Sequence, residues 1–138
     1  MLISTKGRYA LRVLLELAEH GSERYMCLDD IAQAQGISEK YLESIVSVFV
    51  KAKLIEGQRG RGGGYRLTRS PEDYSVWEIL SLAEGSLAPV SCLECSSQCD
   101  RAERCKTLPL WKNLDNMIYE YLKSVKLSDL VGTSEGGI

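Results

Sequence analysis

A mainly α-helical winged helix-turn-helix, with a small β-hairpin wing and a long C-terminal dimerisation helix, is the fold class this 138-residue sequence predicts. Three observations carry the prediction. Two amphipathic helical patterns meet at the tight turn Gly36-Ile37-Ser38, which is the spacing of a helix-turn-helix. A strand–loop–strand pattern rich in glycine and arginine follows the second of them directly. Near the C-terminus, apolar residues recur at three- and four-residue steps from 109 to 125, enough for a helix roughly 25 Å long.

In chain order, Tyr9, Val13, Leu14, Leu17 and Ala18 give residues 5–20 an apolar helical face, and Gly21 ends that helix. Leu28, Ile31 and Ala32 predict a short second helix over 28–35. Cys27 precedes it, where Ser or Asp would cap better, and a lone cysteine beside a helix reads as a small buried hydrophobe. Ser38 is a good N-cap for a third helix over 39–53, whose apolar face is Tyr41, Leu42, Ile45, Val46, Phe49 and Val50. Leu54-Ile55-Glu56 and Tyr65-Arg66-Leu67 read as the strands of the wing. Five of the eight residues of the intervening loop, 57–64, are glycine, so its backbone can lie close to a partner, and Arg59 and Arg61 place two cations at its tip. A nucleotide-cradling loop would instead run from strand to helix and carry G-K-[ST]. Ser75 and Glu78 form a capping-box pattern for a helix over 76–84, with Val76, Ile79, Leu80 and Ala83 inward and Trp77 packing beside them. Pro109 suits the first turn of the long helix, which carries Leu110, Trp111, Leu114, Met117, Ile118, Tyr121, Leu122 and Val125. That stripe is wide: it either caps the winged-helix core or pairs with its copy in a second subunit. Leu127–Leu130 forms a brief final turn, and 132–138 is a frayed tail. The division is therefore a DNA-binding domain (1–72), a short helix with a cysteine-rich loop (73–106), a dimerisation helix (107–131) and the tail.

Charge divides the chain as well. Residues 1–70 hold eleven Lys/Arg against eight Asp/Glu, and residues 71–138 hold six against eleven, so a balance of +3 precedes one of −5 and the whole carries −2. A small cationic excess matters only if it falls on one face, and the helix-turn-helix with its wing supplies such a face for double-stranded DNA. Lys6, Arg8, Arg12 and Glu16 interrupt the N-terminal apolar pattern, which excludes a signal peptide or a membrane span there. No other apolar run is long enough to span a bilayer, so no membrane association and a cytoplasmic location are expected. With a single histidine and no nucleophile–base constellation, catalysis is not expected either.

Four of the five cysteines, Cys92, Cys95, Cys99 and Cys105, are spaced C-x2-C-x3-C-x5-C. Soft thiolates this close in sequence select zinc, copper(I) or an iron–sulfur cluster, and a reducing compartment argues against disulfides. A zinc ribbon would show two C-x2-C knuckles well separated; this window has one knuckle and two further cysteines crowded against it. The pattern fits an iron–sulfur cluster at least as well as zinc. A zinc site or a thiol switch stays open on spacing alone.

The segments Ile3-Ser4-Thr5-Lys6-Gly7-Arg8-Tyr9-Ala10, Ile37-Ser38-Glu39-Lys40-Tyr41-Leu42-Glu43 and Arg59-Gly60-Arg61-Gly62-Gly63-Gly64-Tyr65, with the cysteine loop and Leu110-Trp111, resemble the Rrf2 family of bacterial winged-helix regulators. The resemblance covers about residues 1 to 131 and is greatest to the IscR type. It implies a homodimer that crosses its long helices on operator DNA and represses cluster-assembly genes through a 2Fe–2S cluster, with cluster-assembly scaffold proteins as further partners. It also implies DNA contacts by Ser38, Glu39, Lys40, Tyr41, Glu43, Arg59 and Arg61. Relatives of the NsrR type sense nitric oxide through a cluster, and those of the CymR type lack the cysteines and control cysteine metabolism. Cys92, Cys99 and Cys105 match the family cysteines. The histidine of the IscR type is replaced by Leu108, and the first-helix acid of the NsrR type by the run Lys6-Gly7-Arg8. His20, the single histidine, reads as a solvated surface residue. Cys95 is then the candidate fourth ligand, and an all-cysteine set admits 4Fe–4S beside 2Fe–2S.

Overall fold

The structure, a computed structural model, describes residues 3–93 and 105–132. Its elements run α1 (Thr5–His20), α2 (Leu28–Gln35), α3 (Glu39–Lys51), β1 (Ile55–Gln58), β2 (Gly64–Leu67), α4 (Val76–Glu84), α5 (Leu108–Ser124) and α6 (Leu127–Leu130), with single 3-10 turns at Pro71–Asp73 and Ser91–Leu93. Three helices are started by serine hydroxyls that accept a backbone N–H: Ser4 from Gly7, Ser38 from Tyr41 and Ser75 from Glu78. Each satisfies a donor the first turn leaves without a partner. The predicted capping box at α4 is only half formed, because the Glu78 carboxylate bonds Arg69 instead.

Helix α3 is two residues shorter than the periodicity suggests. Lys53 adopts φ 64, a left-handed conformation that turns the chain into the wing, so the helix stops at Lys51. The wing is an antiparallel hairpin in which Ile55 pairs with Leu67 and Gln58 with Gly64. Gly64 holds φ 136, and a Cβ there would overlap the Met26 carbonyl oxygen. That close approach lets Met26 and Tyr65 exchange backbone hydrogen bonds of 2.9 and 2.8 Å, which adds one rung to the hairpin and ties the wing to the start of α2.

The main core joins α1, α2, α3, the wing base and α6 through Ala10, Val13, Leu14, Leu17, Ile31, Leu42, Ile45, Phe49, Leu67, Tyr74 and Leu127. A smaller cluster of Val76, Leu80 and Leu87 receives Trp77 and, from the C-terminal helices, Leu122, Val125 and Leu130. Tyr74 is the largest fully buried side chain. Its hydroxyl donates to the Leu54 carbonyl at 2.6 Å and accepts from the Thr68 and Arg69 amides at 3.0 and 3.1 Å. Its carbonyl accepts from Leu127 N, while Val76 N donates to the Val125 carbonyl. One residue thus fastens the root of the wing to the chain that leaves α5.

Candidate nucleic-acid interface

Ser38, Glu39, Lys40 and Glu43 are exposed on the first turns of α3. Tyr41 is half-buried: its ring meets the Tyr9 ring edge-on at 6.0 Å, so the residue is anchored to α1 as well as presented outward. The wing lies beside the other end of α3. Val50 joins Gly57–Gly60 and Gly63–Tyr65 in lining an open cavity of about 410 Å³. Arg59 and Arg61 are exposed at the wing tip. Six of the seven sequence-predicted contact residues are therefore exposed on two neighbouring elements, and the seventh is partly covered.

Ion pairing sorts the arginines. Arg66 on β2 bonds Glu56 across the hairpin and stacks on Tyr25, and Arg69 grips both oxygens of Glu78. In each case the hydrogen bond to the carboxylate raises the guanidinium's pKa above its ordinary value. These two cations serve the fold. Arg59 and Arg61 form no ion pair among the described residues, which leaves their charge available to phosphate.

The acids on this face behave differently. Glu39 has its pKa raised, first by a hydrogen bond with Asp29 of α2, then by slight desolvation and by repulsion from Asp29 and Glu43. Glu39, with Asp29 and Glu43 near it, makes a local negative spot on an otherwise cation-bearing face.

Cys27 corrects the sequence reading. It is exposed, not buried, and lines the cavity at the root of the wing. It lies between the Met26–Tyr65 rung and the start of α2, at the N-cap position. His20 is exposed, as expected.

Of the four clustered cysteines, Cys92 and Cys105 are described and Cys95 and Cys99 lie outside the described residues. Both described thiols are partly exposed, at either end of the segment between α4 and α5. Cys105 Sγ lies 3.2 Å from the Thr107 hydroxyl. Among the described residues no group of three His, Cys, Asp or Glu side chains is placed to hold a metal. The α4 end of the segment is anchored: the Glu84 carboxylate accepts from the Ser4 amide and hydroxyl at 2.9 and 2.7 Å. Gly7 makes room for it, since a Cβ there would overlap Glu84 Oε1.

Helix α5 has no fully buried residue. Trp111, Ile118, Tyr119 and Leu122 are half-buried on one side, where Tyr119 meets Trp77 edge-on at 4.8 Å. Leu110, Leu114, Met117 and Tyr121 form a second stripe, 57%, 38%, 68% and 68% exposed. Steps of four, three and four are the spacing of a helix-pairing seam. The one wide stripe read from the sequence is thus two stripes, one half-buried against α4 and the other the more exposed.

Sequence reasoning missed Tyr74, Glu84 and the Arg12 contacts to α2. Arg12 donates to the Gln35 side chain and carbonyl at 2.7 and 3.2 Å. No local signal marks these residues, because the contacts that join separate elements (Tyr74 to Leu54, Glu84 to Ser4, Arg12 to Gln35) are distant in sequence.

Comparison with known proteins agrees with this architecture. A family model described as Rrf2, iron-dependent transcriptional regulator, matches residues 3–133. The chain is 40% identical over 131 residues to protein rrf2 of Nitratidesulfovibrio vulgaris, covering 95% of this chain and 87% of that one. It is 36% identical over 135 residues to the HTH-type transcriptional regulator IscR of Aliivibrio salmonicida, covering 98% and 80%. Among solved structures it resembles CymR, the global cysteine regulator of B. subtilis, with a TM-score of 0.78 at 36% identity over 97% and 98% of the two chains. It also resembles T. potens IscR, with a TM-score of 0.77 at 34% identity over 100% and 92%.

Proposed function

This chain belongs to the Rrf2 family of transcriptional regulators, and from that premise we propose that it is a dimeric repressor that reports iron–sulfur cluster status to operator DNA. It is a DNA-binding regulator and not an enzyme. Residues 1–72 form the DNA-binding domain, 73–106 the sensing segment and 107–131 the dimerisation helix. Among the described residues no helix is long and apolar enough to cross a membrane.

The observation that carries the reading is the pairing of an exposed apolar seam on α5 with a four-cysteine segment that leads into it. The seam supports a homodimer, since Leu110, Leu114, Met117 and Tyr121 leave much of their apolar surface exposed in the protomer. Ser38, Lys40 and Tyr41 contact phosphates or base edges in the major groove, Glu43 selects bases, and Arg59 and Arg61 hold phosphate or the minor groove.

The donor set suits an iron–sulfur group: all four candidate ligands are sulfur, and Cys92 and Cys105 are reachable from solvent. Cys92, Cys99 and Cys105 would hold it, with Cys95 as the fourth ligand in place of the histidine that Leu108 replaces. When bound, such a group supplies ligation that is sensitive to iron supply, oxidants and nitric oxide. The protein's part is to convert order in the segment into the position of α3. Glu84 ties the start of the segment to the N-cap of α1, and α1 reaches α3 through Tyr9–Tyr41 and the end of α2, just before α3, through Arg12–Gln35. At the other end, Tyr74 links the exit of α5 to the wing. Ordering of the segment thereby biases both DNA-reading elements. Cluster-assembly genes are the target in this reading, and cluster-assembly scaffold proteins the donors.

A second reading keeps the DNA binding and replaces the cluster by a zinc site or a thiol switch. It is favoured by the likeness to the cysteine regulator CymR and by Leu108 at the family's histidine position. Anaerobic purification separates the two. Brown protein with a visible absorption band and matching iron and sulfide counts supports the cluster, and colourless protein containing zinc or neither metal overturns it.

A further inference from the structure

We infer that α1 carries a third DNA-contact site, a cleft that takes one backbone phosphate outside the strand segments held by α3 and the wing. The cleft, about 330 Å³ and open to solvent, is lined by Thr5, Arg8, Tyr9 and Arg12. These residues fall at three- and four-residue steps, so one face of α1 presents two guanidiniums, a hydroxyl and a phenol together.

Among the described residues the Arg8 guanidinium bonds only the Thr5 hydroxyl, at 3.2 Å, so most of its donors stay available there. Arg12 is held in place rather than neutralised. It lies over the Tyr9 ring at 4.8 Å and spends two donors on the amide and carbonyl of Gln35. The nearest acid on its helix, Glu16, accepts from the Gln35 side-chain amide instead. Glu16 and Glu19 line the next cleft along α1, on the far side of Arg12. The anion-attracting end is therefore the Thr5–Arg8 end. Among the described residues, Arg8 and Arg12 resemble the wing arginines in lacking a carboxylate partner, unlike Arg66 and Arg69.

Location identifies the occupant. Tyr9 packs on Tyr41 in the first turn of α3, and Arg12 grips Gln35, the last residue of α2 before the turn to Ser38. The cleft is thus continuous with the end of α3 that enters the groove, where the flanking strand presents phosphodiesters. A free phosphate would gain little from so open a cleft, whereas a phosphate already delivered by α3 adds one more ion-releasing contact.

This inference rests on the DNA-binding reading above, and the test separates the two. The probe is a duplex recovered by selection from a randomised pool, titrated against wild type, Arg8→Gln, Arg8→Lys and Arg59→Gln across a range of salt. Arg8→Gln should weaken binding and flatten the log–log salt slope by about 0.9, and Arg8→Lys should restore the slope. A scan of single methylphosphonate substitutions through the duplex should reveal one position to which wild type is sensitive and Arg8→Gln is not, different from the position lost in Arg59→Gln. If Arg59→Gln flattens the slope while Arg8→Gln leaves slope and scan unchanged, the α1 site is wrong and DNA binding stands. Sensitivity of wild type only at positions that Arg59→Gln also erases likewise rules out the α1 site. If wild type selects no duplex at all, the DNA-binding reading itself fails, and the α1 site with it.

Discussion

Met117 tests the dimer seam most sharply. Its side chain is 68% exposed in the protomer and sits between Leu114 and Tyr121 on the uncovered stripe of α5. Full burial of a large apolar side chain is worth about 1.5–3 kcal/mol, so covering the exposed two-thirds contributes about 1–2 kcal/mol per copy. A two-fold interface counts each residue twice, which makes the loss in Met117→Ala about 2–4 kcal/mol. At 1.4 kcal/mol per decade, the dimer dissociation constant should rise about 30- to 700-fold. Met117→Glu adds an unpaired carboxylate to each side of the seam, at several kcal/mol apiece, and should leave monomer at micromolar concentration. Sedimentation equilibrium reads both constants. Circular dichroism should show the monomer folded, because no residue of α5 is fully buried within the protomer. An unchanged dissociation constant in Met117→Glu would refute the seam, and unfolding of the variant would refute the claim that the stripe stands outside the protomer core.

Three other outcomes follow from particular contacts. Tyr74→Phe removes the hydroxyl that three backbone groups share, and should lower stability by about 1–3 kcal/mol with an unchanged urea m-value; a loss below about 0.5 kcal/mol would show that the lock is idle. Glu43→Ala should raise affinity for poorer sites and flatten discrimination, whereas a uniform loss on every sequence would contradict its selective role. The raised pKa of Glu39 means its protonated form is favoured on folding. Its contribution is fully present below the ordinary glutamate range and disappears as pH rises through the raised value. Affinity for DNA should therefore climb as pH falls through that window, and Glu39→Gln should remove the climb; coincident pH profiles would count against it.

Local signals carried most of the fold. Ser38 and Ser75 marked helix starts because a cap is a contact within three residues, and Gly36 and Gly85 marked ends because both hold positive φ. The end of α3 was misplaced because Lys53, a residue with no bias toward positive φ, makes the turn that glycine would have announced. Tyr74 was invisible for a different reason: its partners Leu54 and Leu127 lie far away in sequence on either side. The DNA face was legible in part. Exposed Ser38, Lys40, Arg59 and Arg61 stand where the pattern put them, but the sequence could not show that Arg66 and Arg69 are spent on Glu56 and Glu78. Cys27 was misread because it sits beside the Met26–Tyr65 rung at the root of the wing, a contact across thirty-nine positions that periodicity does not report.

The central claim is that the state of the four-cysteine segment decides which DNA is bound. Its most direct test compares operator affinities of matched protein with and without the cluster, both prepared anaerobically, alongside Cys92→Ala, Cys99→Ala and Cys105→Ala. The account predicts that each of the three variants loses the visible absorption and takes on the operator preference of cluster-free wild type, that Cys27→Ala retains the colour, and that all remain dimers. Identical affinities and preferences for the two forms of wild type would contradict it, even if the protein is brown.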